Sequence, residues 1–162
     1  MKYFKRYLIL LIVSSLLCSL LSGCGQSTPP DMPVLHPCSI TVKIKGKPLD
    51  GVAIQLLAVD QSKWFATGFT DKSGVANVQT LAEFSGAAIG EYIVTATKEV
   101  ADPNWTPNPN KPEDGAPIIS FINYKYANKD TSPLHCTVKE GLNQFEFEVI
   151  SLMNKKRINN FL

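Results

Sequence analysis

The sequence lacks the excess of positive charge that a nucleic-acid-binding protein needs. Its 16 lysines and arginines stand against 14 acidic residues in 162 positions. Three of the basic residues, and none of the acidic ones, lie within residues 1–23, so the remainder carries 13 basic and 14 acidic residues. Binding to a phosphate backbone requires a basic stripe or patch. The charge balance therefore excludes nucleic acid as a partner.

Residue types that carry catalysis or bind metals are also scarce. The chain has two histidines and no G-x-S-x-G nucleophile motif. His36 with Cys38 and His135 with Cys136 resemble a zinc-ligand set, but adjacent residues of a strand point to opposite faces. His135 and Cys136 therefore cannot easily share one tetrahedral ion. We predict no catalytic residue, no metal and no cofactor, and hence a protein that is not an enzyme. An enzyme of undefined type is a remote alternative, which turnover by the purified domain would reveal.

The first 23 residues read as a secretory signal peptide. Residues 1–6, "MKYFKR", carry three basic side chains, and residues 7–21, "YLILLIVSSLLCSLL", are almost wholly apolar. A basic start before a short apolar stretch is typical of secretory signals. A transmembrane helix, the main alternative, needs about 20 apolar residues, and this run is shorter.

The end of this leader predicts a lipid attachment point. Residues 21–24, "LSGC", resemble the lipobox of bacterial lipoproteins, L-[AS]-[GA]-C. Small residues before the cysteine give a membrane-embedded peptidase access to the backbone, and the thiol of Cys24 can become a thioether to a diacylglyceryl group. Two or three acyl chains, such as palmitate, supply the second anchoring signal that stable attachment requires. Cys24 would then be the first residue of a mature chain of 139 residues.

Residues 24–35 predict an extended tether between the lipid and one folded domain. Pro29, Pro30 and Pro33 favour extended backbone of about 3 Å per residue, which would span on the order of 30 Å. The mature length corresponds to about one domain, which we place at residues 36–150.

That domain reads as seven short strands without a strong amphipathic helix. The clearest alternation of apolar and polar residues is in "CSITVKI" (38–44) and "NQFEFEVI" (143–150). We predict hairpins between residues 65–70 and 75–80 and between 134–141 and 143–150. The other strands are predicted at residues 52–59 and 89–100. Such a series favours an antiparallel sandwich.

Two segments do not follow the strand pattern. Residues 101–120, "ADPNWTPNPNKPEDGAPIIS", contain five prolines and cannot form a central strand. Because long loops on rigid scaffolds often bind ligands, we predict a mobile contact segment here. The basic tail, residues 151–162, is given no role.

Four phrases in order resemble a known family. They are "ITVKIKGKPLDGVAIQL", "ATGFTDKSGVANVQT", "GEYIVTATK" and "YANKDTSPLHCTVKEGLNQFEFEV". Together they are similar to small bacterial lipoproteins with a transthyretin-like (prealbumin-like), or carboxypeptidase regulatory-like, domain. The resemblance covers most of residues 36–150. It implies an all-β Greek-key sandwich of about seven strands and no known catalytic activity.

Two other groups with this kind of sandwich do not fit. Hydroxyisourate hydrolases need histidines, an arginine and a terminal Y-R-G-S, whereas this chain ends in "INNFL" and has Arg157 as its only arginine after the leader. Isopeptide-forming adhesin domains need a lysine, an asparagine and an acid together in the core. Lys43 or Lys45 with Asn143 could supply two of these, but the strand expected to carry the acid reads "VTATK".

Aromatic residues are the candidate ligand contacts. They are Trp64, Trp105, Tyr124 and Tyr126. Aromatic side chains at the ends of a sandwich can stack on sugars or bind a protein partner, so a carbohydrate-binding module is the alternative function. The competing interpretation is that each tryptophan only fixes its loop to the edge of the core.

The resemblance also implies a disulfide between Cys38 and Cys136. Cys18 leaves with the signal and Cys24 carries the lipid, so two cysteines remain in an oxidising compartment. In transthyretin-like sandwiches the first and penultimate strands are parallel neighbours, which would place both cysteines at one end of one sheet.

From the sequence we therefore expect a lipid-anchored envelope protein with a binding or structural module. Its partners would be membrane lipid, through acylated Cys24, and an envelope protein or glycan. Gly25 rather than aspartate follows the cysteine. In cells with two membranes this predicts sorting to the outer one.

Overall fold

The computed structural model describes residues 28–60, 63–102, 105–111 and 115–153. The described residues up to Met32 belong to one compact unit, and those from Pro33 onward belong to a second. In the first unit, the described residues make a turn in which the Met32 amide donates to the Pro29 carbonyl at 3.1 Å. The second unit is the β-sandwich.

The described part of the second unit contains fourteen short strands and one short 3₁₀ helix. The strands are β1 (Leu35–His36), β2 (Cys38–Ile44), β3 (Lys47–Pro48), β4 (Ala53–Ala58), β5 (Ala66–Phe69), β6 (Val75–Asn77), β7 (Gln79–Thr80), β8 (Phe84–Ser85), β9 (Ala87–Ala88), β10 (Gly90–Thr97), β11 (Glu99–Ala101), β12 (Ile118–Ser120), β13 (Leu134–Val138) and β14 (Asn143–Glu148); the 3₁₀ helix is Tyr124–Tyr126.

Two sheets make up the sandwich, and two strand pairs flank it. The large sheet has the order β13-β10-β4-β5-β7-β8, and the small one has the order β14-β2-β3 with β6 also paired to β2. β1 pairs with β9, and β11 pairs with β12. The all-β sandwich predicted from the sequence is confirmed.

The core lies between the two main sheets because each sheet turns one apolar face inward. Along β2, burial alternates residue by residue, so that Ile40, Val42 and Ile44 are buried while Thr41 and Lys43 are not. From the large sheet, β4 and β10 add further fully buried side chains, which are Ile54, Leu56, Val94 and Ala96. The period-two pattern predicts the buried face correctly.

The predicted hairpin between residues 65–70 and 75–80 is only partly correct. β7 pairs with β5, but β6 pairs with β2 in the other sheet. The chain changes sheets at Val78, which is buried and donates its amide to the Cys38 carbonyl at 3.1 Å. The turn before β6 is as predicted, since Asp71 Oδ1 accepts hydrogen bonds from the Ser73 and Val75 amides.

The predicted hairpin between the last two strands is wrong. β13 pairs with β10, and β14 runs parallel to β2, with Cys38 opposite Asn143 and Lys43 opposite Glu148. The connection at residues 139–142 therefore crosses from one sheet to the other. Each of these strands buries its own apolar face, so joining opposite sheets satisfies the same sequence pattern as a hairpin would.

The proline-rich segment contains one strand that was not predicted. β12, at its end, pairs with β11 in antiparallel register, Val100 opposite Ile119. Neither strand joins the two main sheets, which agrees with the prediction that this segment forms no central strand.

The register defines two ends of the sandwich. Ala58 pairs with Tyr92 at one end of the large sheet, and Ala53 pairs with Thr97 at the other. We call the first the entry end; it includes Val34 and the connections at residues 59–60, 63–65, 81–83, 89 and 139–142. We call the second the far end; it includes the described residues of 49–52, 70–74, 98–133 and 149–153.

Candidate functional site

The predicted lipid attachment residue, Cys24, lies outside the described residues, and so does the leader before it. In the described ranges no helix has the length and apolar character needed to cross a membrane. What the structure does describe is the point where the chain joins the sandwich. That point is Val34, immediately before β1, at the entry end.

A close backbone contact fixes this junction. β1 pairs with β9, Leu35 opposite Ala88 and His36 opposite Ala87. Gly86 lies against His36 with a φ of 100°, and a Cβ at this glycine would overlap the His36 carbonyl. Both the left-handed backbone and the space therefore require glycine here. In addition, His36 Nδ1 accepts a hydrogen bond from the Gly141 amide at 3.0 Å, which ties the junction to the β13–β14 connection.

The four candidate aromatic contacts do not form one site. Trp64 is partly buried and lies at the entry end, between β4 and β5. Trp105 is partly buried and lies between β11 and β12 at the far end. Tyr124 and Tyr126 are also at the far end, in the 3₁₀ helix. A single sugar cannot contact Trp64 and the other three together, because the strands of the sandwich separate them.

The two tyrosines differ in exposure. Tyr126 is only 3% exposed and belongs to the core, whereas Tyr124 is 66% exposed. Asn123 caps the helix by accepting a hydrogen bond from the Lys125 amide at 3.0 Å, and the Lys125 ammonium lies 4.8 Å from the centre of the Tyr126 ring. Of the three candidates at the far end, Tyr124 and Trp105 therefore remain as ligand contacts.

The entry end carries a group of exposed apolar side chains that the sequence did not single out. Five connections at this end each place one or two of them in solvent. They are Val34, Val59, Phe65, Leu81, Ile89 and Leu142, which are between 36% and 76% exposed. We call this set the apolar rim. The far end has exposed apolar side chains of its own, which are Phe69, Ile118, Tyr124, Ile150 and Leu152. What distinguishes the apolar rim is that it lies at the end where the chain joins the sandwich.

The turn that displays Leu81 is strained. Leu81 and Ala82 have φ values of 56° and 57°, and the Glu83 amide donates to the Thr80 carbonyl at 3.2 Å. Tight hairpin turns with two positive φ values favour Asn-Gly. A side chain with a Cβ costs about 1–2 kcal/mol per residue in this conformation. A leucine in such a turn therefore lowers the stability of the domain, and its apolar side chain is exposed.

The charged residues around the apolar rim are predominantly acidic. The exposed charged residues at this end are Asp60, Lys63, Glu83, Glu91, Lys139 and Glu140, four acids against two bases. The Lys63 ammonium lies 4.8 Å from the centre of the Trp64 ring. The rim therefore combines apolar tips with a tryptophan–lysine pair and a small net negative charge.

Cys38 and Cys136 are both buried, and both are free thiols in the structure. The prediction that they lie on neighbouring strands of one sheet is wrong, because β2 pairs with β14 and β13 belongs to the large sheet. The two residues instead belong to the same core cluster and come from opposite sheets. The disulfide itself stays a prediction, now as a bond across the sandwich.

The environment of these thiols opposes their ionisation. Burial raises the pKa of Cys38 to about 11 and that of Cys136 to about 12, and the nearby Cys38 contributes to the second shift. Tyr92, which pairs with Cys136 in the sheet and donates to the Ala88 carbonyl at 2.9 Å, has its pKa raised to about 12, mainly by burial. Thiols of this kind react slowly while the domain is folded.

A groove of about 530 Å³ lies between the edges of β13 and β14. Its lining includes His135, Lys139, Gln144 and Phe145 and no carboxylate. Among the described residues no three His, Cys, Asp or Glu side chains are grouped so as to hold a metal ion. The groove is thus an open edge of the sandwich rather than an assembled acid–base or metal site.

Comparison with known proteins adds no relative. No family model matches the chain, and no curated protein matches it.

The apolar rim could not be recognised in the sequence because its members are far apart along the chain. Each is an isolated apolar residue in a connection, and only the pairing of the strands brings five connections to one end. The sequence contains one local feature of this surface. The turn in "TLAEF", residues 80–84, has no glycine, asparagine or proline, the residues that turns usually contain.

Proposed function

We propose that this protein is a lipid-anchored lipoprotein of the bacterial cell envelope. Cys24 is acylated, residues 1–23 are removed, and the sandwich of residues 36–150 is a non-enzymatic binding or structural module. The observation that carries the proposal is the sequence "LSGC" at residues 21–24, after a basic start and an apolar run. Gly25 after the cysteine favours the outer membrane where there are two.

The sandwich supports a scaffold role. Among the described residues, every buried side-chain nitrogen and oxygen has a hydrogen-bond partner. Catalytic sites commonly keep strained or unsatisfied polar groups in a pocket. Among the described residues, the non-glycine residues with positive φ are Lys45, Leu81 and Ala82, and all three lie in turns. The turn at Leu81 displays an apolar side chain, which favours a contact surface.

The sandwich type is part of the same proposal. We infer a transthyretin-like, or carboxypeptidase regulatory-like, domain from the order and spacing of the four phrases between residues 40 and 149. The all-β sandwich is compatible with this assignment.

Metabolic labelling with a palmitate analogue that carries a clickable group tests the anchor. We expect label on the wild-type protein and on a Cys18→Ser variant, and none on Cys24→Ser. Cys18 is the matched control because it lies in the same leader, six residues before the lipobox cysteine. A Cys24→Ser protein that is still labelled, and cleaved at the same point, would contradict the proposal.

A further inference from the structure

The apolar rim lies at the end of the sandwich where the chain arrives from Cys24. Val34, the first member of the rim, lies ten positions after Cys24. An extended chain spans at most about 3.3–3.6 Å per residue, so this segment reaches no further than about 36 Å. The segment therefore permits any distance up to this limit between the entry end and the bilayer, including direct contact.

The two ends of the sandwich are not equally placed for such contact. β10 alone has eight residues between the entry end and the far end, which is about 26 Å of strand. A domain held through Val34 can bring the entry end to the lipid surface without strain in the connecting segment. Placing the far end there would require the segment to double back along the full length of the sandwich.

The chemistry of the rim matches the interface of an uncharged bilayer. Its six aliphatic and aromatic side chains are all exposed at one end of the sandwich, where they can face a lipid surface. Trp64, with the Lys63 ammonium over its ring, adds the kind of side-chain pair that lies at the level of lipid headgroups. The excess of acids over bases around the rim excludes attraction to anionic lipid as the driving force.

We propose that the entry end of the sandwich docks onto the lipid surface through the apolar rim, with phosphatidylcholine-like or phosphatidylethanolamine-like lipid as its partner. This inference rests on the proposed acylation of Cys24, which supplies the high local concentration that a small apolar surface needs. The docking also gives a reason for the strained turn at Leu81 and Ala82, because the leucine side chain exposed there would contact the membrane.

Quenching of tryptophan fluorescence by brominated phosphatidylcholine tests the docking directly. The chain has two tryptophans, one at each end of the sandwich. In the full, acylated protein, a Trp105→Phe variant reports on Trp64, and a Trp64→Phe variant reports on Trp105. We expect brominated vesicles to lower Trp64 fluorescence by about twofold, since interfacial apolar groups lie about 5–10 Å into the acyl boundary. Trp105 fluorescence should not change.

The rim is then altered in the Trp105→Phe background. Leu81→Asn with Ala82→Gly gives the turn the residues that its positive φ values favour, so the domain should become more stable while Trp64 quenching falls. Leu142→Asn, a second rim change, should act in the same direction. Phe69→Ser is the matched control, because Phe69 is 74% exposed but lies at the far end. Quenching should not depend on salt concentration.

The outcomes separate the two proposals. Vesicle-bound, acylated protein whose Trp64 is not quenched would overturn the docking and leave the anchor intact. A second result would also overturn the docking. Trp64 would be unquenched in vesicles but shielded from aqueous acrylamide in native envelope fractions, which would mean that a protein rather than lipid covers the rim. Protein purified from native membranes whose Cys24 proves to be unacylated would overturn both proposals.

Discussion

At the scale of single residues, the far end is held by a few side chains that satisfy backbone groups. Thr70 is the clearest case. Its hydroxyl donates to the Leu49 carbonyl at 2.7 Å and accepts from the Val52 amide at 2.8 Å. Its own amide and carbonyl bond to Val52 and Gly51. One threonine thus fixes the connection between β3 and β4 against the start of the Asp71 turn.

Replacing Thr70 by valine should destabilise the domain. The new side chain has a similar shape, but it leaves the Leu49 carbonyl and the Val52 amide without their partner. We expect a loss of about 2–3 kcal/mol in the free energy of unfolding, measured by urea denaturation. Thr67→Val, on the neighbouring strand β5, is the control and should change the free energy of unfolding by less than about 0.5 kcal/mol. Equal effects of the two changes would contradict this assignment.

Asp50 should make stability depend on pH. The Lys98 ammonium donates to Asp50 Oδ1 at 2.9 Å and to the Asp50 carbonyl at 2.6 Å. The hydrogen bond from Lys98 is the main reason that the pKa of Asp50 is lowered. Because the folded pKa lies below the unfolded value of about 3.9, the stabilisation is complete above that value and is lost as pH falls through the folded pKa.

The Asp50→Asn variant measures this contribution. The Asp50 side chain is 52% exposed, so solvent screening should limit the loss at neutral pH to under about 1 kcal/mol. The difference between wild type and variant should be smaller at acidic pH than at pH 7, because the contribution of the Asp50 carboxylate is lost as pH falls through its lowered folded pKa. A difference that is the same at both pH values would show that the ion pair is not its cause.

At the scale of elements, alternation in the sequence predicts the strands but not their partners. Residues 38–44 and 143–148 alternate clearly and form β2 and β14. Alternation says which face is buried, and both sheets bury a face against the same core. It cannot tell whether residues 75–77 stay with β5 or cross to β2, nor whether β13 pairs with β14. Short connections led us to expect local hairpins, and the packing of two sheets chose crossings.

The cysteine pair belongs to this scale because it connects the two sheets. We predict that Cys38 and Cys136 form a disulfide when the protein folds in an oxidising envelope, with electrons passing to a disulfide-bearing oxidant. The bond would close a loop of nearly 100 residues. In the chain-entropy model such a loop contributes about 4–5 kcal/mol, and movement of the buried thiols toward each other would reduce this.

Thiol titration of the denatured, non-reduced protein checks the bond. We expect no reactive thiol before reduction and two afterwards, with a single thiol in Cys38→Ala at both stages. In a second experiment, an alkylating reagent is added either during folding or after folding. The thiols should react only during folding, because their raised pKa values make them unreactive in the folded domain. Two reactive thiols per denatured chain would mean that the bond does not form.

At the scale of the whole molecule, a lipid anchor predicted from the sequence precedes a domain that the chain enters at one end. The lipobox prediction rests on four adjacent residues, so it can be made without a structure. The apolar rim is assembled from separate connections and required the structure. If the entry end meets the bilayer, the far end, with Tyr124 at 66% exposure, is the part presented to other envelope components.

The identity of the N-terminal residue tests the central claim most directly. Mass spectrometry of the N-terminal peptide of protein purified from membranes should find a chain that begins at Cys24 and carries a diacylglyceryl thioether on its sulfur. A peptide that begins at Met1 or at any residue other than Cys24, or a Cys24 with an unmodified thiol, would contradict the account.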